Sequence, residues 1–494
     1  MLKKNLKFLL SLTNVMIIVI LLFSVNATYF TQTGESLTSS LSPCGTSING
    51  IFNEDRYLDL ARVPVHVKNN RVLNYSNSNF GQIYVSNSGD DNNSGTMDDP
   101  VQNLKRAVEL VNDGGTIVVL SDLNAWHETS NVSKNVTIRS ENGKKTVYGH
   151  GYQIFNMDPN VKVNVTIKDL NLTDGYAMTS GGAILNNGSN LNLYDCIIDS
   201  SKTEEDGGGV FITGGGTNHI INCSFTNNEA SNRGGGISIT KTNTRCYISN
   251  CNFTNNNANS GGGIHLGQDN NPPIFNCSIS NNTARMYGGG VYVNLGFGNF
   301  TNCNISDNSA NDGGGVNINE GLSRFTTCSI NSNNAEYDGG GVSIFNGTGI
   351  FTYPKIKYNI ASNNGGGIKN NDRCEIYACD IFNNTANGYG GGIYNYGYET
   401  NLTLLNTTIN NTFYNPMFVG NKALNGGGIC NLGRFGNIHG LIVQDNIASL
   451  GSGGGVALWS SEDYTYLIDP ARSGCIFINN KPENLGFIPL ENAA

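Results

Sequence analysis

The chain has 494 residues, a formal net charge of −9 and 14% charged residues, against roughly 25% in an ordinary globular domain. With 29 Lys and Arg against 38 Asp and Glu, it is too poor in cations to neutralise a phosphate backbone, which excludes nucleic acid as a partner. Its 63 glycines come in clusters rather than at every third residue, which excludes collagen, and its 38% hydrophobic residues recur in order, which excludes a disordered chain.

Lys3, Lys4 and Lys7 precede a mostly apolar stretch over residues 8–23, and Val25-Asn26-Ala27 offers a small residue at a cleavage edge. Residues 1–27 read as a secretory signal. The alternative is an uncleaved anchor, for which sixteen residues containing Ser11, Thr13 and Asn14 are short against the ~20 a span needs. Residues 28–80 form an irregular N-terminal segment. Residues 81–125 read as a cap: a strand at 82–86, a short N-capped helix where Leu104, Ala107, Val108 and Val111 follow Asp98-Asp99-Pro100, and a strand at 114–120. The acidic run Asp90-Asp91-Asn92-Asn93 reads as a solvated loop. Residues 136–138, 145–148 and 163–172 read as irregular early coils.

From there a Gly-Gly-(Gly/Ala)-aliphatic signature recurs. Its aliphatic residues are Ile184, Val210, Ile237, Ile264, Val291, Val316, Val342, Ile368, Ile393, Ile429 and Val456. Successive members are 25–27 residues apart except Ile393 and Ile429, which are 36 apart and imply a loop insertion near residues 411–420. A second signature, Cys-x-(Ile/Phe)-x-x-Asn, runs in phase with the first. It supplies Cys223, Cys251, Cys277, Cys303, Cys328 and Cys379, and the asparagines Asn228, Asn256, Asn282, Asn308, Asn333, Asn359 and Asn384. Within a unit the apolar residues alternate with a period of two, as in Ile237-Ser238-Ile239, and turn formers separate the runs. Such a unit cannot bury its apolar side alone; stacked, each strand pairs in parallel with its copy in the next unit. The expected fold is an all-β, right-handed parallel β-helix of about eleven or more coils over residues 126–480 with a short N-terminal capping helix, followed by a tail at 481–494. The glycines allow a tight turn before each aliphatic residue. The recurrent asparagines can adopt a left-handed conformation and can bond amide to amide as a ladder.

These paired motifs, Gly181-Gly182-Ala183-Ile184 with Phe225-Thr226-Asn227-Asn228 and Phe253-Thr254-Asn255-Asn256, resemble those of polymorphic outer membrane protein repeats. The layout, with the strand at 83–86 and the short helix leading it, resembles adhesin-like proteins of the pectate-lyase-like β-helix superfamily. The resemblance implies export and surface adhesion, with cell-surface glycans or proteins as partners. The chain ends soon after the last coil, which leaves no room for the C-terminal transmembrane barrel of an autotransporter.

Parallel β-helices also host polysaccharide lyases and hydrolases, so a carbohydrate-active enzyme is the alternative. Such a site needs two carboxylates across a groove. Asp206, Asp312 and Asp338 each stand just before a glycine triplet, and Asp312 and Asp338, one unit apart, could stack and hold a hard cation through oxygen ligands. No basic residue recurs at a matching position to complete a catalytic set, and Gly149-His150-Gly151, a tripeptide like that of polygalacturonases, lacks the basic motif downstream. The reading is therefore a non-enzymatic scaffold without a cofactor. Its candidate ligand patch is Tyr389, Tyr394, Tyr396 and Tyr398, since exposed aromatic faces suit sugars and proteins. The column Cys196, Cys223, Cys251, Cys277, Cys303, Cys328 and Cys379 reads as stacked, buried, free thiols; Cys246 with Cys251 and Cys374 with Cys379 are the candidate local disulfides, and Cys44 and Cys430 lack an evident partner. Asn-x-Ser/Thr sequons at Asn135, Asn164, Asn171, Asn252, Asn304, Asn346 and Asn401 are candidate glycan acceptors where they lie on turns, those within strands being expected to be inaccessible.

Overall fold

A computed structural model describes residues 81–124, 129–241, 244–268, 272–397, 400–405, 417–458 and 474–488, with short strands at 67–68, 71–72, 407–409 and 412–414. The chain divides into two units, Met1–Pro64 and Val65–Ala494. The first, with the expected signal at 1–27, lies outside the described residues, as do Cys44 and Tyr398.

The second unit is a parallel β-helix. Four sheets run along it, three of fourteen strands and one of eleven, and each strand pairs in parallel with the strand one coil away. One coil shows the plan. Ile237–Ile239 lies in what we call the fourth sheet, Arg245–Ser249 in the first, Asn252–Thr254 in the second and Asn257–Ser260 in the third. The next glycine triplet then returns the chain to Ile264 in the fourth. Thirteen steps at ~4.8 Å make the longest sheets roughly 60 Å tall. The aliphatic column Ile237, Ile264, Val291, Val316, Val342, Ile368 and Ile393 is in register and fully buried, one residue per rung. Phenylalanines stack likewise, Phe225 on Phe253 at 4.6 Å and Phe300 on Phe325 at 5.0 Å between ring centroids. The bore is thus dry and continuous, and each rung's apolar side is covered by its neighbours.

The glycine triplet is dictated by close approach. Gly288 has φ +62°, and a Cβ on Gly289 would lie 2.4 Å from the carbonyl oxygens of Gly314 and Ser309. No side chain fits between rungs at that corner.

The asparagines form the expected ladder but not the expected turn. Asn256 donates from Nδ2 to Asn282 Oδ1 at 3.0 Å and to the Phe225 carbonyl at 2.9 Å, while its Oδ1 accepts from the Asn228 backbone N–H and Nδ2, both at 3.0 Å. Both donors and both acceptor positions of the buried amide are used. The same bonding runs through Asn282, Asn308, Asn333, Asn359 and Asn384, and continues through Asn421, Asn446 and Asn480. The left-handed residue is instead the one before each ladder asparagine: Asn227, Asn255, Asn281, Asp307, Ser332, Tyr358 and Asn383 have φ between 52° and 58°. In this column the bend and the buried amide ladder thus fall to neighbouring residues.

At the base, the helix covers Leu104–Leu110 and packs Leu104, Ala107 and Val108 into the core. Its N-cap is Asn103 rather than Asp98 or Asp99. Asp91, from the acidic run, accepts from the N–H groups of Gln102 and Asn103 at 3.0 and 2.9 Å and so anchors that run to the helix start. The expected insertion is a small antiparallel pair, Thr407–Ile409 with Thr412–Tyr414. The expected tail holds one more strand, Leu485–Phe487, paired with Val456–Leu458.

The described cysteines are all buried, and Cys246, Cys251, Cys374 and Cys379 are free thiols. Cys246 lies in a first-sheet strand and Cys251 past the left-handed corner at Asn250, so the proposed local disulfides Cys246–Cys251 and Cys374–Cys379 are absent. Burial pushes the Cys246 and Cys374 thiols well above the usual range, which keeps them protonated and unreactive.

Candidate functional site

Side chains alternate across a strand, so the residue after each repeated aliphatic points out of the fourth sheet. There the sequence stops repeating. The outer column reads Ser238, His265, Tyr292, Asn317, Ser343, Lys369, Tyr394 and Cys430, in register from rung to rung. Beside it runs the corner that precedes the glycine triplets. Backbone bonds from Gly261, Gly288, Gly313, Gly339 and Gly365 to the next rung place Tyr287, Asp312, Asp338, Asn364 and Tyr389 in one line.

The two columns enclose a groove of about 390 Å³ lined by Tyr287, Tyr292, Asp312, Asn317, Glu320, Ser343 and Lys369, among others. Tyrosines line one end of it, and a second group of tyrosines stacks on the rungs beyond Lys369. Tyr287 stacks on Tyr292 at 5.7 Å, and Tyr292 is backed by His265 at 5.7 Å. Beyond Lys369, Tyr389 stacks on Tyr394 at 5.8 Å, and Tyr394 on Tyr396 at 5.7 Å. Tyr394 is held by a small apolar cluster outside the bore with Cys430, Leu432, Ala457 and Ile488, while Tyr396 remains 43% exposed. Tyr292 and Tyr394 stand four rungs apart, about 19 Å at ~4.8 Å per rung.

Asp312 and Asp338 sit between these stacks on adjacent rungs. Lys369 Nζ lies 2.6 Å from Asp338 Oδ2, and Asp338 Oδ1 accepts the Asn364 N–H at 2.9 Å. Both oxygens of Asp338 are therefore engaged. Burial raises the Asp312 carboxyl above the ordinary carboxylate range, with Lys369 opposing the shift and Asp338 adding to it. The sequence placed Asp312 and Asp338 together but did not find Lys369, Tyr287, Tyr292 or Glu320. None of these repeats with the unit; for Tyr292 and Lys369 the signal was the variable position after each repeated aliphatic. Asp206 stands on the corner line three rungs below Tyr287, its carboxyl raised by burial and lowered by Arg233 beside it.

His265 is fully buried, with Nδ1 2.8 Å from Ser238 Oγ. Burial lowers its pKa to about 3, so it is neutral in the fold. His150, of the polygalacturonase-like tripeptide, sits in a left-handed turn with Nε2 2.9 Å from Asn124 Oδ1 and belongs to the coil's own hydrogen bonding. Among the described residues no group of three or more His, Cys, Asp or Glu is arranged to hold a metal ion. Of the sequons, Asn252, Asn304 and Asn401 lie in strands yet point outward and are exposed, as are Asn164 and Asn346; Asn135 and Asn171 are half-buried.

Residues 181–353 match the family described as "Right handed beta helix region". No curated protein matches the chain. Among solved structures it is similar to pectate lyase Pel9A, with 15% identity, 62% of this chain and 75% of that chain covered and a TM-score of 0.35. It is similar also to a rhamnogalacturonan lyase, with 13% identity, 83% and 86% covered and a TM-score of 0.21. The chain folds as a right-handed parallel β-helix.

Proposed function

We propose that this chain is an exported, adhesin-like scaffold that binds an extended glycan in the groove on the outer face of its fourth sheet. One observation carries the reading: a groove on a rigid rod, floored by the polar side chains of Asn317 and Ser343 and walled by the Tyr287–Tyr292 stack, with a second tyrosine stack on the rungs beyond Lys369. Tyrosine faces stack on sugar rings while their hydroxyls keep a hydrogen-bonding edge. Preformed polar groups on strands lose little entropy on binding. The apolar stretch after Lys3, Lys4 and Lys7 supports export.

Binding is favoured over turnover because Asp338 and Lys369 neutralise each other, which leaves neither as an uncommitted base. The test is affinity of the purified chain for a panel of oligosaccharides. Tyr287→Ala and Tyr396→Ala are each expected to weaken binding roughly tenfold, the worth of one lost aromatic contact of ~1.4 kcal/mol, with an unchanged melting temperature. Absence of binding across the panel, or unaltered affinity in both variants, overturns the proposal.

One observation favours a second reading. Asp312, with its raised pKa, faces an open groove and could act as a general acid on a glycosidic bond. Product release abolished by Asp312→Asn would establish it; the binding reading expects none.

A further inference from the structure

The groove's charge defines its ligand more narrowly. We propose that it takes a glycan without carboxylates, with amino-sugar polymers bound best, and rejects uronate polymers. This rests on the glycan-binding reading above. The described charged residues lining the groove are Asp312, Glu320 and Lys369, with Asp338 directly behind Lys369. The lysine is held 2.6 Å from Asp338, so its charge is spent within the wall. Glu320 is exposed at the groove edge, held in a left-handed turn with φ 51°. Arg233, on the corner line two rungs beyond Tyr287, is not among the described lining residues; its charge acts on Asp206 beside it and reaches His265 and Tyr292.

A uronate chain laid along this floor would set a carboxylate beside Asp312 and Glu320, and among the described lining residues the one cation, Lys369, is already paired. Like charges at this range repel, and a partly enclosed groove screens them less than open water does. An ammonium-bearing sugar meets the same two carboxylates favourably. The four-rung separation of the tyrosine stacks calls for an oligomer rather than a single sugar.

The experiment measures affinity of the full chain for three probes of matched length: a chitosan oligomer, its fully N-acetylated counterpart and an oligogalacturonate, each with calcium present and with chelator. Expected are binding of chitosan and of the acetylated oligomer, at least tenfold weaker binding of oligogalacturonate in either condition, and a chitosan affinity that falls as salt is raised. Asp312→Asn combined with Glu320→Gln should bring the chitosan and acetylated affinities together, because the attraction that separates them is gone, while the melting curve reports that the coil is intact. Oligogalacturonate binding as tight as chitosan, with or without calcium, overturns the charge assignment and leaves the groove reading standing. A double variant that keeps the full chitosan preference also overturns it. Binding of none of the three overturns the glycan reading itself and this inference with it.

Discussion

The two faces of the fourth sheet are built from the same strands, one residue apart, and obey opposite rules. The inner face keeps a β-branched aliphatic, Ile or Val, for seven rungs, Ile237 through Ile393, all fully buried. The outer face changes at nearly every rung, from Ser238 and His265 through Tyr292, Asn317, Ser343 and Lys369 to Tyr394. An inner residue must fill a fixed cross-section between two like neighbours, so stacking selects size and shape. An outer residue sits on a shelf whose backbone bonds are already made, so it can change without disturbing the rod. Function can therefore accumulate where the repeat is silent.

The sharpest way to break this comparison is to substitute neighbours on one strand. Ile264→Ala removes a fully buried side chain from the bore and should cost about 3–4 kcal/mol, since coils above and below prevent the cavity from closing. The adjacent His265→Gln should cost far less at neutral pH by denaturant unfolding, and its effect should reverse in acid. Between the ordinary histidine value near 6.5 and its folded value of about 3, the unfolded chain binds one proton more than the native one. The wild type therefore loses stability as pH falls through this window, at up to ~1.4 kcal/mol per pH unit from this group, and His265→Gln does not. Equal costs at pH 7, or parallel pH curves, would show that the outer face is as constrained as the inner one.

A smaller contrast follows one column along. Asn308→Ala leaves the Asn282 amide and the Ile279 carbonyl without their partners, at a cost of about 3 kcal/mol. Ser343→Ala, which removes one hydroxyl from the groove floor, should cost no more than about 1 kcal/mol. Thermal melts of the two variants check this directly.

How much of this was legible in the sequence follows from the same contrast. Spacing alone gave the coil, the aliphatic column and the asparagine ladder, because stacking makes each visible eleven or so times. Asn421 escaped notice because the hairpin at 407–414 displaces it from its period. The disulfide expectation at Cys246 and Cys251 failed because a five-residue offset says nothing about the corner between them. The groove was half visible. Asp312 and Asp338 carried a repeat position, and Tyr389, Tyr394 and Tyr396 were conspicuous by composition. Lys369 and Tyr292 share an outer column with residues of unrelated chemistry, so only the fold brings them beside the acids and the tyrosines.

The finest test of the comparison is a single carboxylate on the groove wall. Asp312 has its pKa raised by burial, so the folded state favours its protonated form relative to the unfolded chain. The sign follows: its contribution to stability is full below the ordinary carboxylate value and is lost as pH rises through the folded one. At neutral pH the native state holds a partly desolvated charge beside Asp338, and Asp312→Asn relieves it. The variant should melt slightly above the wild type at pH 7, with the gap closing as pH is lowered through the carboxylate range. A wild type more stable than Asp312→Asn at pH 7 would mean that Lys369 outweighs burial at this position, and that the groove wall is a structural ion network rather than a surface kept under tension for a ligand.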